Sequence, residues 1–202
     1  CRPCCQRRPG IHGSRRGCSR SVARRRERSS QRLTSGLTSY VVASFLAPAL
    51  STTSGKVKAA RKLARRSFRA EQRLFLAEGW KSLEAALNVP GCVVEVFVTQ
   101  AALEQHEGLL HGLTVHLVDE RAMGSLADSV TPQGIVALCR FVDRPLASIL
   151  DRPGGCVVVC ADVRDPGNAG TIIRTADAFG VAGVVLAGNS VDPYNPKTVR
   201  AT

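Results

Sequence analysis

Three features of the sequence predict an α/β fold. Strand-like apolar runs alternate with short amphipathic stretches from about residue 73 to residue 141, the run CVVVCADV (156–163) is apolar almost throughout, and a second such run, VAGVVLAGN (181–189), follows one helix-length segment later. Strands separated by helices predict largely parallel sheets covered by helices, because antiparallel neighbours need no such crossover. A length of 202 residues suits one ordinary domain or two small ones, and 44% hydrophobic with 22% charged residues argues against wholesale disorder. No stretch reaches the roughly 18 consecutive apolar residues of a membrane helix, so no membrane partner is expected. At 4% aromatic, stacking of many bases on exposed rings is not the expected binding mode.

Residues 1–53 read as a disordered, targeting or extraneous extension. The stretch CRPCCQRRPGIHGSRRGCSRSVARRRERSSQRLTSG has no apolar period and almost nothing to bury. Cys1, Cys4, Cys5, Cys18 and His12 lack the second paired half of a zinc template, so neither a metal nor a disulfide framework is expected. The segment LTSYVVASFLAPALS (37–51) behind an arginine-rich lead has the outline of a signal or transit peptide. The plainer reading leaves it outside the folded protein and the location cytoplasmic, with organelle targeting or secretion as the alternative. The chain opens at Cys1 and its single Met is Met123, so a processed or partial N-terminus is expected.

From Ser54 the character changes. SGKVKAARKLARRSFRAEQ places Val57, Ala60, Leu63 and Ala64 at helical spacing behind Ser54 as a cap. Then come RLFLAEG (strand), WKSLEAALN (helix), VVEVFVT (strand), AALEQHEG (helix), TVHLV (strand), DERAMGSLAD (helix) and GIVALCRF (strand). His106, His111 and His116 are scattered and read as ordinary surface histidines. Cys92, Cys139, Cys156 and Cys160 sit in apolar runs and read as small buried hydrophobes.

The net charge of +12 is unevenly spread. Residues 1–55 hold 11 Arg and one Glu, residues 56–81 nine Lys/Arg against two Glu, and residues 82–202 eight basic against 13 acidic side chains. Lys56, Lys58, Arg61, Lys62, Arg65, Arg66 and Arg69 crowd one predicted helix with few counter-charges. A charge run is usually a solvated face, but such faces are laced with both signs. A one-signed stripe is the footprint of a polyanion binder, where cations position a phosphate backbone without reading sequence.

Pro153-Gly154-Gly155 is a linker signal. After it, CVVVCADV reads as a strand buried on both faces, Asn168 as the cap of an amphipathic helix with Ile172, Ile173, Ala176 and Phe179 inward, Gly180 as its terminator, and VAGVVLAGN as the next strand. The crossover rule places the helix N-terminus at the carboxyl edge of the sheet, where such folds carry their sites. A dinucleotide fold needs GxGxxG and an acid ending the second strand, but the turn is DPGNAG and the strand ends Leu186-Ala187-Gly188-Asn189. A P-loop is absent too. What remains is a polar cluster: Asp165, Asn168 and Arg174, with Asp192, Asn195, Lys197 and Arg200 beyond the second strand.

DPGNAGTIIRTADAFG closely resembles motif 1 of the SpoU/TrmH family of RNA ribose 2′-O-methyltransferases. NSVDPYNPKTVRAT resembles the beginning of that family's motif 2, and KLARRSFRAEQRLFLAEGWKSLEAAL is similar to the small substrate-binding domain of many members, whose fold is like certain ribosomal RNA-binding proteins. The resemblance covers about residues 55–202. It implies a substrate-binding domain over 54–145 and the N-terminal part of an α/β-knot (SPOUT) methyltransferase domain over 153–202. It further implies methyl transfer from S-adenosylmethionine to a ribose 2′-hydroxyl in rRNA, ahead of tRNA, without a metal and commonly in a homodimer. Carried over by motif position, Arg174 is the catalytic arginine and Asn168 its companion, with Lys197 and Arg200 joining the basic helix on RNA. Cofactor-binding residues are expected beyond Thr202, so this chain alone is not expected to methylate RNA. The rival reading is a non-catalytic RNA-binding protein.

A guanidinium stays protonated in ordinary surroundings. The preferred role for Arg174 is therefore to grip a phosphate and stabilise charge developing on the 2′-oxygen, rather than to act as a base. The plain alternatives are an ion pair with Asp165 or Asp177 for Arg174, and helix capping alone for Asn168.

Overall fold

The computed structural model describes residues 48–151 and 155–202. The cysteine cluster of residues 1–18 and most of the leader-like segment lie outside the described residues.

The basic stretch forms two helices, α1 (Gly55–Lys62) and α2 (Arg66–Gln72), where the periodicity predicts one. The break has a local cause. Arg69 Nη1 donates to the carbonyls of Leu63 and Ala64 at 2.8 and 2.9 Å, taking the two acceptors that an uninterrupted helix would offer to residues 67 and 68. Ser54 holds the N-cap position of α1 but makes no side-chain capping bond. Val57, Ala60 and Leu63 are buried as expected, whereas Ala64 falls in the turn and is exposed.

The elements β1 (Leu74–Glu78), α3 (Trp80–Leu87), β2 (Val93–Val98), α4 (Gln100–His106), β3 (Val115–Leu117), α5 (Glu120–Leu126) and β4 (Ile135–Arg140) follow in the predicted order. Strand order is β1-β4-β2-β3. The expectation of a largely parallel sheet is corrected here: β2–β3 is parallel, but β4 runs antiparallel to both β1 and β2. Strands β1, β2 and β3 do share one direction. Helix α5 does not carry the chain back across the sheet, since Leu117 and Ile135 both sit opposite Val98, so β4 starts at the edge where β3 ends and must run the other way.

Side chains alternate across this sheet with period two. Phe75, Ala77, Val96, Val98, Ile135, Ala137 and Cys139 face one core with Leu83 of α3 and Leu103 of α4. Phe97 and Val136 face a second core with Val57 and Ala60 of α1 and Met123 of α5. Helices thus cover both faces. Leu50 bridges β3 by donating to the Leu117 carbonyl at 2.8 Å and accepting from Asp119 N–H at 3.1 Å, so this unit begins before Ser54.

The second sheet is the predicted βαβ unit: β5 (Val157–Ala161), α7 (Pro166–Ala178) and a parallel β6 (Gly183–Ala187), preceded by the short α6 (Leu146–Leu150) and followed by α8 (Pro196–Ala201). Four details differ from expectation, the first being that Cys156, just ahead of β5, is exposed rather than buried. Strand β5 is not buried on both faces: Val159 is 65% exposed, because only one face of the two-stranded sheet is covered among the described residues. Phe179 is 81% exposed, since it caps the C-terminus of α7 rather than extending its buried face. The N-cap is Asp165, whose carboxylate accepts the Asn168 N–H at 2.7 Å, so Asn168 lies inside the first turn. Gly180 ends the helix with φ of +64°, as its position predicts.

Glycine at position 170 is required by the packing of α7 on α8. A Cβ there would stand 2.5 Å from the Ala201 Cβ and 2.9 Å from the Thr198 carbonyl oxygen.

Candidate functional site

The polar residues at the carboxyl edge of β5 and β6 largely organise their own loops. Asp162, in the left-handed region at φ of +55°, accepts the Asn189 N–H at 2.8 Å. Ser190 accepts the Val163 N–H at 3.2 Å and donates to the Ala187 carbonyl at 2.6 Å. A cavity of about 440 Å³ there is lined by Asp162, Arg164, Asp165, Asn168 and Thr171.

Arg174 lies elsewhere. It is exposed on α7 and lines a different cavity, about 540 Å³, with Ile173 and Asp177 of its own helix, Lys81 and Ser82 of α3, and Arg200 of α8. Among the described residues Asn168 and Arg174 therefore line different cavities. Six positions apart on a helix, they point about 120° apart and about 9 Å along the axis. Arg174 forms no ion pair with Asp165 or Asp177 among the described residues.

The predicted phosphate-binding cations divide. Lys58, Arg61, Lys62, Arg65, Arg66 and Lys197 are exposed. Lys56 is half-exposed and bonded to Glu95 at 3.1 Å, beside His116, itself 3.0 Å from Glu95. Arg200 lies 3.7 Å from Glu78 and 3.5 Å from Asp128. Arg69 is a correction: at 3% exposure it is buried, its guanidinium 2.6 Å from Asp192 and bonded to the two turn carbonyls, so it is not available to an RNA phosphate.

Arg69–Asp192 belongs to a junction that sequence reasoning missed. Tyr194, two residues on, inserts into the core of the first sheet, stacked on Phe141 at 3.7 Å between centroids and tilted against Phe75 at 4.9 Å. Its hydroxyl oxygen accepts the N–H groups of Val142 and Asp143 at 2.8 and 2.9 Å, and the hydroxyl donates to Asp143 Oδ1 at 2.9 Å. Burial, then the bond to Asp143, pushes the Tyr194 phenol up to about 12. Burial works to raise the Asp143 carboxyl, but hydrogen bonds from Arg73 and Tyr194 outweigh it and hold it below the ordinary carboxylate range. Partners separated by 123 positions leave no local signal. The one available hint was an aromatic flanked by prolines in DPYNP.

In fold, the chain groups with rRNA methyltransferases. It superposes on an AdoMet-bound rRNA methyltransferase from Sinorhizobium meliloti with a TM-score of 0.64 at 35% identity, over 76% of this chain and 60% of that one. It is 36% identical over 151 residues to the 23S rRNA (guanosine(2553)-2'-O)-methyltransferase RlmP of Bacillus subtilis, covering 75% of this chain and 58% of the relative. It is 33% identical to human mitochondrial rRNA methyltransferase 3, over 67% of this chain and 34% of that protein. Residues 155–202 match the SpoU rRNA Methylase family and residues 55–137 the MRM3-like substrate binding domain. Over residues 155–202 the chain resembles the SpoU methylase family. It spans about 60% of the length of relatives such as the first two.

Proposed function

We propose that these residues are the RNA-gripping and target-positioning part of an rRNA ribose 2′-O-methyltransferase, with residues 54–145 as its substrate-binding domain and residues 153–202 as the opening part of its catalytic domain. The observation that carries this is the shared 540 Å³ cavity: Arg174, on the helix of the first SpoU motif, lines it together with Lys81 and Ser82 of the substrate-binding segment. An RNA strand held by one segment then lies against the motif helix of the other.

S-adenosylmethionine, bound in the Sinorhizobium relative, would supply a methyl group on a sulfonium, to be attacked in line by the ribose oxygen. The Asp162 and Asp165 carboxylates beside the 440 Å³ cavity each hold a backbone N–H of their own segment and so shape its loops. What this chain supplies is the RNA side. The exposed Lys58, Arg65 and Arg66 hold phosphates and fix register. Arg174, a permanent cation with a planar fork of donors, clamps the phosphate beside the target ribose and offsets charge developing on its 2′-oxygen. Asn168 keeps its side chain at the carboxyl edge, available to the RNA beyond the clamp. A homodimer and a cytoplasmic location complete the reading, both supported by the family resemblance.

The test is transfer of labelled methyl from S-adenosylmethionine into rRNA by the protein expressed from its own gene, read as 2′-O-methyl nucleosides after nuclease digestion. Label in a 2′-O-methyl nucleoside, lost by about 10- to 100-fold in Arg174→Ala at saturating RNA, is the expected result. Absence of label with folded, RNA-bound protein would overturn the proposal.

A further inference from the structure

We propose that the cleft between the basic helix pair and α8 is a phosphodiester subsite, where RNA backbone crosses from the substrate-binding segment to the SpoU segment between Arg61 and Lys197. The inference rests on the RNA reading above and names a place for it. A cavity of about 330 Å³ is lined by Arg61 and Ala64 on one side and by Pro166, Asn195 and Lys197 on the other. It is separate from the cavity that holds Arg174.

The electrostatics favour an anion. Arg61 and Lys197 are exposed and make no ion pair among the described residues, unlike Lys56, Arg69, Arg73 and Arg200. Two acids also line the cavity, Glu78 and Asp128, and they share one cation. Glu78 accepts the N–H groups of Asp128 and Ser129 at 2.9 and 3.1 Å and the Ser129 hydroxyl, and Arg200 lies within 3.7 Å of both carboxylates. Arg69, also in the lining, is neutralised by Asp192. With Asp192 and Arg200 counted, the cleft keeps one surplus positive charge beside Arg61 and Lys197, and one phosphodiester balances it.

The cleft is also held open at a fixed width. The Arg69–Asp192 pair and the buried Tyr194 tie the two walls together, so the helices carrying Arg61 and Lys197 are already in place at binding and only the two side chains have to be ordered. Continuity selects a strand over a free ion. Arg65 and Arg66 are exposed just past Arg61 in the same helix pair, and a chain of phosphates passing Arg61 meets Lys197 next.

The experiment measures RNA affinity of the full 202-residue chain against salt for Arg61→Ala, Lys197→Ala and the double variant. Both side chains are exposed, and thermal melts check that the variants remain folded. Each single change should lower the slope of log K against log salt by about 1, and the double change should lower it by little more, because one phosphate stays in the cleft only when both cations hold it. Lys197→Ala without effect, beside a weakened Arg61→Ala, would overturn the crossing and leave the RNA-binding reading standing. Additive losses would mean two separate contacts and also overturn it. No binding by the unaltered chain would overturn the functional reading itself. A Lys197 ammonium resonance shifted by inorganic phosphate but not by RNA would mark a free-ion pocket instead.

Discussion

Deleting the guanidinium of Arg69 leaves the Asp192 carboxylate, 12% exposed, without its counter-charge and frees two carbonyls in the α1–α2 turn. Breaking a buried pair by removing one member costs about 3–5 kcal/mol. Arg69→Ala should lose that much in urea denaturation, and Arg69→Lys should recover only part, since an ammonium cannot span both carbonyls and the carboxylate. Tyr194→Phe should cost about 1–3 kcal/mol, because two backbone N–H groups lose their acceptor. Tyr194 also sets a pH dependence. Its pKa in the folded chain is about 12, above the ordinary value of about 10, so the neutral phenol favours folding. That contribution is intact below about pH 10 and is lost as pH rises to about 12; a denaturation series across that window should show it, and Tyr194→Phe should lack it. Asp143 has the opposite sign: its lowered pKa adds stability above the ordinary carboxylate range that is lost on acidification. At Arg174, a phosphate clamp predicts that Arg174→Lys loses activity with an unchanged pH optimum, whereas retained activity with a lower optimum would mark a base. The sequence marked Arg174 by its motif. It could not separate Arg69 from its six basic neighbours, because what buries Arg69 is an aspartate 123 positions away.

Helix α7 was legible almost whole, since a capped start, a 3.6-residue period and a terminating glycine are all local signals. The cap was misplaced by three residues, because Asp165, Asn168 and the intervening proline all suit a helix start, and Phe179 was placed inward although it is exposed at the C-cap. Asp165→Ala should cost about 1 kcal/mol through the lost bond to the Asn168 N–H. Gly170 is a different matter. It looks like a weak point in mid-helix, yet the approach of α8 requires it, and Gly170→Ala should destabilise by about 1–3 kcal/mol despite its higher helix propensity. A neutral or stabilising Gly170→Ala in thermal melts would show that α8 does not pack where the structure places it. The α1–α2 break and the antiparallel β4 were illegible for one shared reason. Periodicity reports which face of an element is apolar, while the break depends on the Arg69 side chain turning back onto two carbonyls and the strand direction on where α5 leaves the chain.

At the scale of the whole chain the charge segregation was readable at once, but the route by which the basic helices reach residues 155–202 was not. That route is the junction of Arg69, Asp192 and Tyr194, and it divides the molecule's stability unevenly. Strands β2 and β4 carry Val96, Val98, Val136 and Ala137 at 0% exposure, so their amides should open only with global unfolding. Strands β5 and β6 form a two-stranded sheet flanked by the exposed Val159 and Phe179, and they should open more easily. Helix α8 belongs by sequence to the second unit but follows directly on Tyr194, which is embedded in the first core. Native-state hydrogen exchange should therefore give three tiers, with β2 and β4 slowest, β5 and β6 fastest, and α8 between them. Arg69→Ala should drop α8 to the level of β5 and β6 while β2 and β4 remain the slowest. If α8 instead exchanges with β5 and β6 in the unaltered protein, the junction does not hold, and the cleft between Arg61 and Lys197 has no fixed width with which to meet a strand.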